Sequence, residues 1–309
     1  MKKLAFVFPG QGAQYVGMAK EFHNIPEYKK YFKIANERLG YDLENIMLNG
    51  PAEELKQTFN TQPAILLHSI LAYNYFNNHC DIKPELVAGH SLGEFSALVA
   101  AEVLDWQDAL HLVHRRGKFM VDANEGTPYK MAAILGLDKD IIKEICENTH
   151  GVVIAANFNT PKQTVISGEE KSVSDAMKKC DDKGAKRIVP LLVGGAFHSP
   201  LIKKSSKWLY KEMQKIDFAS AKVPVISNYT AKPELEPNEI INNLKMQIIS
   251  PVRWVDCVRY MSNNDIDAVV EFGPKKVVSR MIRSIDRSID RFSVSQPKDV
   301  DKVLKKLEK

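Results

Sequence analysis

The stretch Leu86-Val87-Ala88-Gly89-His90-Ser91-Leu92-Gly93 constrains the fold of this chain more than any other. A short apolar strand runs without a spacer into a GxSxG turn, and the turn runs directly into a helix pattern that begins near Leu92. So sharp a reversal forces the residue at its apex into a strained backbone conformation, and the glycines on either side remove side chains that would clash. This geometry belongs to a parallel sheet covered by helices. The hydroxyl of Ser91 is then presented at the end of the sheet, above the free N–H groups of a helix N-terminus. The same residues also fit a plainer role, a serine that caps a helix after a glycine turn.

The surroundings agree with a sheet of this kind. Leu4–Phe8 reads as a strand followed by the turn Pro9-Gly10-Gln11-Gly12, helical patterns fill much of 13–77, and strand and helix patterns alternate through the first long segment. Between 127 and 194 the rhythm changes to strand (131–135), helix (140–148), strand (152–156), strand (164–166), helix (171–182) and strand (187–193), the βαββαβ order of a ferredoxin-like unit. The first style resumes with a helix from Pro200 and a strand over 223–226. The expected fold is α/β: a large subdomain of residues 1–126 and 195–309 with a parallel sheet, interrupted by a small subdomain of residues 127–194. The tail places Val300, Val303, Leu304 and Leu307 at helical spacing, so it docks by that stripe with its lysines outward.

Composition bounds the alternatives. With 309 residues, 44% hydrophobic and 26% charged, the chain buries a real core and is neither disordered nor fibrous. Its apolar runs fall far short of the roughly 20 residues that span a bilayer. The opening run passes straight into Pro9-Gly10 instead of a cleavage site, so Met1 is expected to be the N-terminus of the working protein. Cys80, Cys146, Cys180 and Cys257 lie far apart without zinc spacing; they read as reduced, mostly buried thiols of a cytoplasmic protein, and no metal site is expected. The net charge of +5 is spread over scattered lysines rather than set in an aromatic-laced stripe, which argues against a nucleic-acid partner.

A serine nucleophile needs a base, and eight histidines are available. His111 and His114 fall off the apolar stripe of their helix and are expected to face solvent; His23, His68, His79 and His150 have no distinctive setting. His90 adjoins the nucleophile but is directed elsewhere by the turn, toward packing or the lining of the site. His198 lies in Gly194-Gly195-Ala196-Phe197-His198-Ser199-Pro200, between a strand end and a helix that Ser199 caps and Pro200 starts. Arg116 falls on a buried stripe defined by Trp106, Ala109, Leu110, Val113, Met120 and Val121. A buried guanidinium needs an anion, either an internal carboxylate or a substrate carboxylate held by its planar fork. Gln247 shares a stripe with Ile240, Ile241, Leu244 and Ile248, where a buried amide either caps a local carbonyl or helps to hold an imidazole.

Pro9-Gly10-Gln11-Gly12-Ala13-Gln14, Gly89-His90-Ser91-Leu92-Gly93-Glu94, Arg116-Gly117-Lys118-Phe119-Met120, Gly195-Ala196-Phe197-His198-Ser199, Asn157-Phe158-Asn159-Thr160-Pro161, Gln163 to Gly168 and Glu271-Phe272-Gly273-Pro274 occur together. Taken jointly, over essentially the whole length, they resemble the malonyl-CoA:acyl-carrier-protein transacylases, acyltransferases of fatty-acid and polyketide synthesis. The resemblance implies an α/β-hydrolase-like core with a ferredoxin-like insertion. It makes Ser91 the nucleophile, His198 its base, the Gln11 and Leu92 N–H groups the oxyanion hole, Arg116 the malonyl carboxylate clamp and Gln247 the residue whose carbonyl orients His198. Asn157 and Asn159 join His90 as possible lining. One departure is Tyr129-Lys130, where smaller residues are expected, at the junction of the inserted unit. The Ala-Phe-His-Ser sequence resembles malonyl-selective rather than methylmalonyl-selective members.

The implied partners are malonyl-CoA and an acidic acyl carrier protein bearing phosphopantetheine, met by a monomer without a cofactor of its own. The rival readings are a stand-alone malonyl acyltransferase of a polyketide synthase, a serine thioesterase or esterase, and a non-catalytic module that binds carrier protein. A hydrolase would usually place an Asp or Glu between Ser91 and His198 in chain order.

Overall fold

The computed structural model of the chain describes residues 2–307 except 125 and 127. Met1, and residue 127 at which the inserted unit was expected to begin, lie outside the described residues. The strands are β1 (Leu4–Phe8), β2 (Leu86–Gly89), β3 (Tyr129–Leu135), β4 (Val153–Thr160), β5 (Gln163–Glu169), β6 (Arg187–Pro190), β7 (Val225–Ile226), β8 (Pro233–Glu234), β9 (Ala268–Phe272) and β10 (Asp290–Val294).

The larger sheet has the order β10-β9-β1-β2-β7-β8 and is parallel up to its antiparallel edge pair β7/β8. β1 is central and wholly buried, which is why it reads as a continuous apolar run. Its side chains alternate between two cores: Phe6 and Phe8 pack with the long helix Thr58–Asn77 on one face, and Ala5 and Val7 with Trp254 and Val258 on the other. Each fully buried phenylalanine contributes about 1.5–3 kcal/mol relative to exposure.

The smaller sheet is antiparallel, in the order β4-β5-β3-β6. Helices Lys139–Glu147 and Glu170–Asp182 cover one face, where Ile134, Ile142 and Val173 form a separate core. Met131, Ala133 and Val165 point the other way and join the main core. The open face of the small sheet is thereby held against the large subdomain, and the site lies between them. A parallel bridge between Asn157 and Val252 ties the two parts together beside the site, with Phe158 N–H donating to Val252 O at 2.9 Å.

Several element ends differ from the sequence expectation, each for a local reason. The strand expected over 223–226 is reduced to Val225–Ile226, because Pro224 has no N–H for the ladder; its carbonyl still accepts from Val87 N. β4 continues past Ala156 to Thr160, carried by pairing with β5 across register shifts. β6 stops at Pro190 instead of Val193, and the freed segment crosses to the cavity, which Leu191 and Val193 line. At Pro200 the chain first makes a 3₁₀ turn, Pro200–Ile202, with Ser199 Oγ accepting from Leu201 N, before the helix Lys203–Met213. The tail helix Asp299–Leu307 docks through buried Val300 and Val303 and partly buried Leu304 and Leu307.

Candidate active site

Ser91 sits at the junction of β2 and the helix Gly93–Ala100 with φ of 52°, a left-handed conformation that costs a non-glycine residue about 1 kcal/mol or more. The turn can be this tight only because the flanking positions lack side chains. A Cβ on Gly89 would lie 1.9 Å from the Gly93 carbonyl, and one on Gly93 would lie 2.3 Å from the Phe8 carbonyl in β1. His198, on the loop after Gly194-Gly195, is also left-handed with φ of 58°. Both strained residues converge: Ser91 Oγ lies 2.8 Å from His198 Nε2.

The imidazole has one consistent protonation. Its Nδ1 lies 2.9 Å from the backbone carbonyl of Gln247, which can only accept, so Nδ1 carries the hydrogen and Nε2 is left to accept from the Ser91 hydroxyl. Burial, reinforced by the Arg116 charge, lowers the His198 pKa to about 3, while the bond to Gln247 opposes the shift. The ring is therefore neutral at physiological pH. Among the described residues no Asp or Glu is bonded to Nδ1; a main-chain carbonyl takes that position.

Arg116 is almost fully buried on the helix Trp106–Asp122, and its hydrogen-bond acceptors are all neutral: Gln62 Oε1 at 2.7 Å from Nη1, and Gln247 Oε1 and Ser91 Oγ each at 3.0 Å from Nη2. Its Nε is buried without a partner among the described residues. Gln62 comes within reach because Gly117 lets the two helices approach closely; a Cβ there would lie 2.7 Å from Phe59 Cα. Among the described residues the internal ion pair considered for Arg116 is thus not formed directly. The nearest charged group in its network is Glu94, whose Oε2 accepts from Gln247 Nε2 at 2.9 Å.

The Gln247 side chain does not hold the imidazole; it bridges Arg116, Glu94 and the Ser91 carbonyl, to which Nε2 donates at 3.0 Å. Asn228 completes the frame, its Oδ1 accepting from Ser91 N at 2.6 Å and its Nδ2 donating to Gly89 O at 2.7 Å. Gln62, Glu94 and Asn228 did not emerge from the sequence. Glu94 alone carried a usable signal, an acid inside the apolar run Gly93–Ala100.

A cavity of about 170 Å³ opens onto Ser91. Gln11, His90, Leu92, Arg116, Asn157, Asn159 and His198 line it together with Met131, Val165 and Phe197, so both subdomains contribute. Among the described residues, neither the Gln11 nor the Leu92 N–H donates to another residue, and the two donors are free to receive an oxyanion. His90 Nε2 lies 2.8 Å from Asn159 Oδ1, which accepts, and this bond directs the ring away from Ser91.

The two histidines expected to face solvent are instead half-buried. His114 Nδ1 lies 3.0 Å from Phe59 O, a carbonyl left without its helical partner because Pro63 has no N–H, and His111 lies 3.7 Å from Glu212. His68 is fully buried against Ser295 O. The four cysteines are free, three of them buried and Cys80 half-buried. Among the described residues no group of His, Cys, Asp and Glu could hold a metal ion, and no helix is long and apolar enough to cross a membrane.

A serine hydroxyl bonded to a neutral imidazole, two N–H groups without a partner among the described residues and a buried cation are groups of the kind that acyl transfer with an anionic acyl group uses. Comparison with known proteins gives the same direction. An acyl transferase domain family matches residues 5–302. The chain is 39% identical to a malonyl CoA-acyl carrier protein transacylase of Bacillus subtilis, over 99% of this chain and 98% of the relative. It is 41% identical to the protein of that name from Escherichia coli K12, over 96% and 97%. A solved malonyl CoA-acyl carrier protein transacylase from Coxiella burnetii superposes with a TM-score of 0.96 at 36% identity, covering 99% of this chain and 98% of that one. A malonyl-transacylase solved in complex with a type II polyketide synthase acyl-carrier protein superposes with a TM-score of 0.95 at 35% identity, covering 98% and 99%.

Proposed function

The chain belongs to the acyl transferase domain family, and from that premise we propose that it moves a malonyl group from malonyl-CoA to the phosphopantetheine thiol of acyl carrier protein, in fatty-acid synthesis, through a malonyl ester of Ser91. One observation carries the choice of acyl group: a buried guanidinium with only neutral partners lies 3.0 Å from the nucleophilic oxygen. A malonyl group on Ser91 carries a carboxylate one methylene from its ester carbonyl, short enough to reach that cation. Acetyl-CoA leaves the cation unpaired, a mismatch that discriminates strongly.

In the first half-reaction the Ser91 proton passes to His198 Nε2 as Oγ attacks the thioester carbonyl, and Gln11 and Leu92 N–H receive the oxyanion. The C–S bond breaks, and the imidazolium returns the proton to the departing CoA thiolate. The second half-reaction is the reverse, with the carrier's thiol giving its proton to His198 and attacking the Ser91 ester. A thiol with a pKa near 8.5 leaves far more readily than an amine. A backbone carbonyl on His198 Nδ1 is therefore adequate where proteolysis would call for a carboxylate. One thioester is exchanged for another without oxidation or reduction, so the reaction asks for no cofactor.

The basic excess suits an acidic carrier by steering its approach. On this proposal the protein acts as a monomer in the cytoplasm. Two separate sheets support the division into 1–126 with 195–309 and 127–194. The polyketide reading stays open through the relative solved with its synthase carrier. Intact-protein mass spectrometry with malonyl-, methylmalonyl- and acetyl-CoA, followed by fatty-acid or polyketide carrier protein, tests the proposal. Malonyl adds one acyl group to the wild type and none to Ser91→Ala, and the fatty-acid carrier removes it. Release to water in preference to a carrier thiol would make the protein a hydrolase.

A further inference from the structure

Glu94 has no place in the chemical steps above, yet it is fully buried at the start of the helix that follows Ser91. A buried acid is expensive unless its oxygens are used. One of them is used twice: Oε2 accepts from Gln247 Nε2 and from Asn228 N, each at 2.9 Å, whereas Oε1 has no partner among the described residues. The two groups held by Oε2 are the ones that grip the nucleophile's backbone. Gln247 Nε2 donates to Ser91 O, and the Asn228 side chain accepts from Ser91 N. The left-handed backbone of Ser91 is thus tied at both its polar groups to residues ordered by one carboxylate oxygen.

The Gln247 amide has two ends of opposite character. Glu94 Oε2 accepts in either protonation state, any proton going to the unpartnered Oε1 of the acid, so Glu94 draws the NH₂ end of Gln247 toward itself and leaves the Gln247 Oε1 facing Arg116 Nη2 at 3.0 Å. The flipped amide would set donor against donor at Arg116 and oxygen against oxygen at Glu94. We propose that Glu94 is a positioning residue: it fixes the direction of the Gln247 amide and thereby keeps Arg116 and the Ser91 backbone placed for carboxylated acyl groups. The proposal rests on the malonyl-transfer reading, since the consequence of a misplaced Arg116 is a loss of preference for a carboxylate.

Glu94→Met removes the acceptor at similar length. Glu94→Asp keeps the acid but draws it back by one methylene, and carries the test if the Met variant does not fold. Glu94→Gln can restore an acceptor oxygen at the Oε2 position. The measurement is kcat and KM for malonyl-CoA and acetyl-CoA on folded protein, with malonyl-enzyme formation by the wild type as control. For the Met and Asp variants the malonyl kcat/KM should fall by about a hundredfold, the loss expected when reacting groups shift by about an ångström. The malonyl-to-acetyl ratio should fall with it, and Glu94→Gln should recover that ratio. An unchanged ratio in the Asp variant, whether both rates hold or fall in parallel, overturns the proposal, as does a Gln variant no better than Met. A wild type that forms no malonyl-enzyme refutes the functional reading itself, a result distinct from either.

Discussion

Arg116 keeps its charge although it is almost fully buried. Burial lowers its pKa to about 10, opposed by Glu94, so the guanidinium remains protonated at neutral pH among neutral acceptors. Truncating one member of a buried charge pair costs about 2–5 kcal/mol. Arg116→Ala should therefore lower kcat/KM for malonyl-CoA by about thirtyfold to a few thousandfold while acetyl transfer gains in relative terms; an unchanged substrate ratio in steady-state assays would remove the clamp. His198 has a pH signature of its own. Because its folded pKa is lowered to about 3, the imidazole stays able to accept the Ser91 proton well below pH 6.5. The acid limb of kcat/KM for acyl-enzyme formation, followed by rapid quench, should lie below pH 5, and a limb near 6.5 would point to another base. At this scale Ser91, His198 and Arg116 were legible because each is chemically conspicuous against its local pattern. Gln62 and Asn228 were not, since a glutamine in a helix and an asparagine in a loop acquire meaning only from what lies opposite them.

The turn between β2 and the helix Gly93–Ala100 is the element on which the nucleophile depends, and it leaves no room for an added methyl. Gly93→Ala would push a Cβ against the Phe8 carbonyl of β1, backbone that cannot swing aside. A cost of about 1–3 kcal/mol is expected, as for other overpacked sites, read as a lowered midpoint in denaturant unfolding. An unchanged midpoint would mean that the turn relaxes. The elements read from periodicity, the βαββαβ unit among them, kept their type and order, whereas β8, β9, β10 and the helices Trp254–Asn263 and Val277–Ile285 were not read from it. The ends shifted, and each error has a cause in its neighbours: Pro224 shortens one strand, β5 lengthens another, and β6 ends where its chain leaves for the cavity. The expected exposure of His114 failed for the same reason. Its acceptor, Phe59 O, is released by Pro63 in a different helix.

Across the whole molecule the buried acids set the response to pH. Burial raises the pKa of Glu94 to about 7 and that of Glu234 to about 8, so from about pH 4.5 to 8 the folded chain binds more protons than the unfolded one and stability falls as pH rises. His198 and His68, lowered by burial to about 3 and about 4, act in the opposite sense below pH 6.5, where the unfolded chain takes up the protons. The two effects oppose one another until the unfolded histidines, His90, His111 and His114 among them, have lost their protons about one unit above 6.5, and beyond that the buried acids prevail. Thermal midpoints should therefore decline between about pH 7.5 and 8.5, less steeply in Glu234→Gln, and a midpoint that rises over this interval would contradict the assignment. The sequence by itself determined the α/β class, the βαββαβ order, the strained serine turn and the polar residues that stand out from their local pattern, because periodicity, glycine placement and misplaced polar groups are local properties. Only the tertiary structure decided that the Gln247 backbone, not its side chain, holds His198, that Arg116 meets only neutral acceptors among the described residues, and that one Glu94 oxygen accepts from both the Gln247 side chain and the Asn228 backbone. Each of these depends on which donor meets which acceptor across a buried interface, and such pairings join residues far apart in the chain.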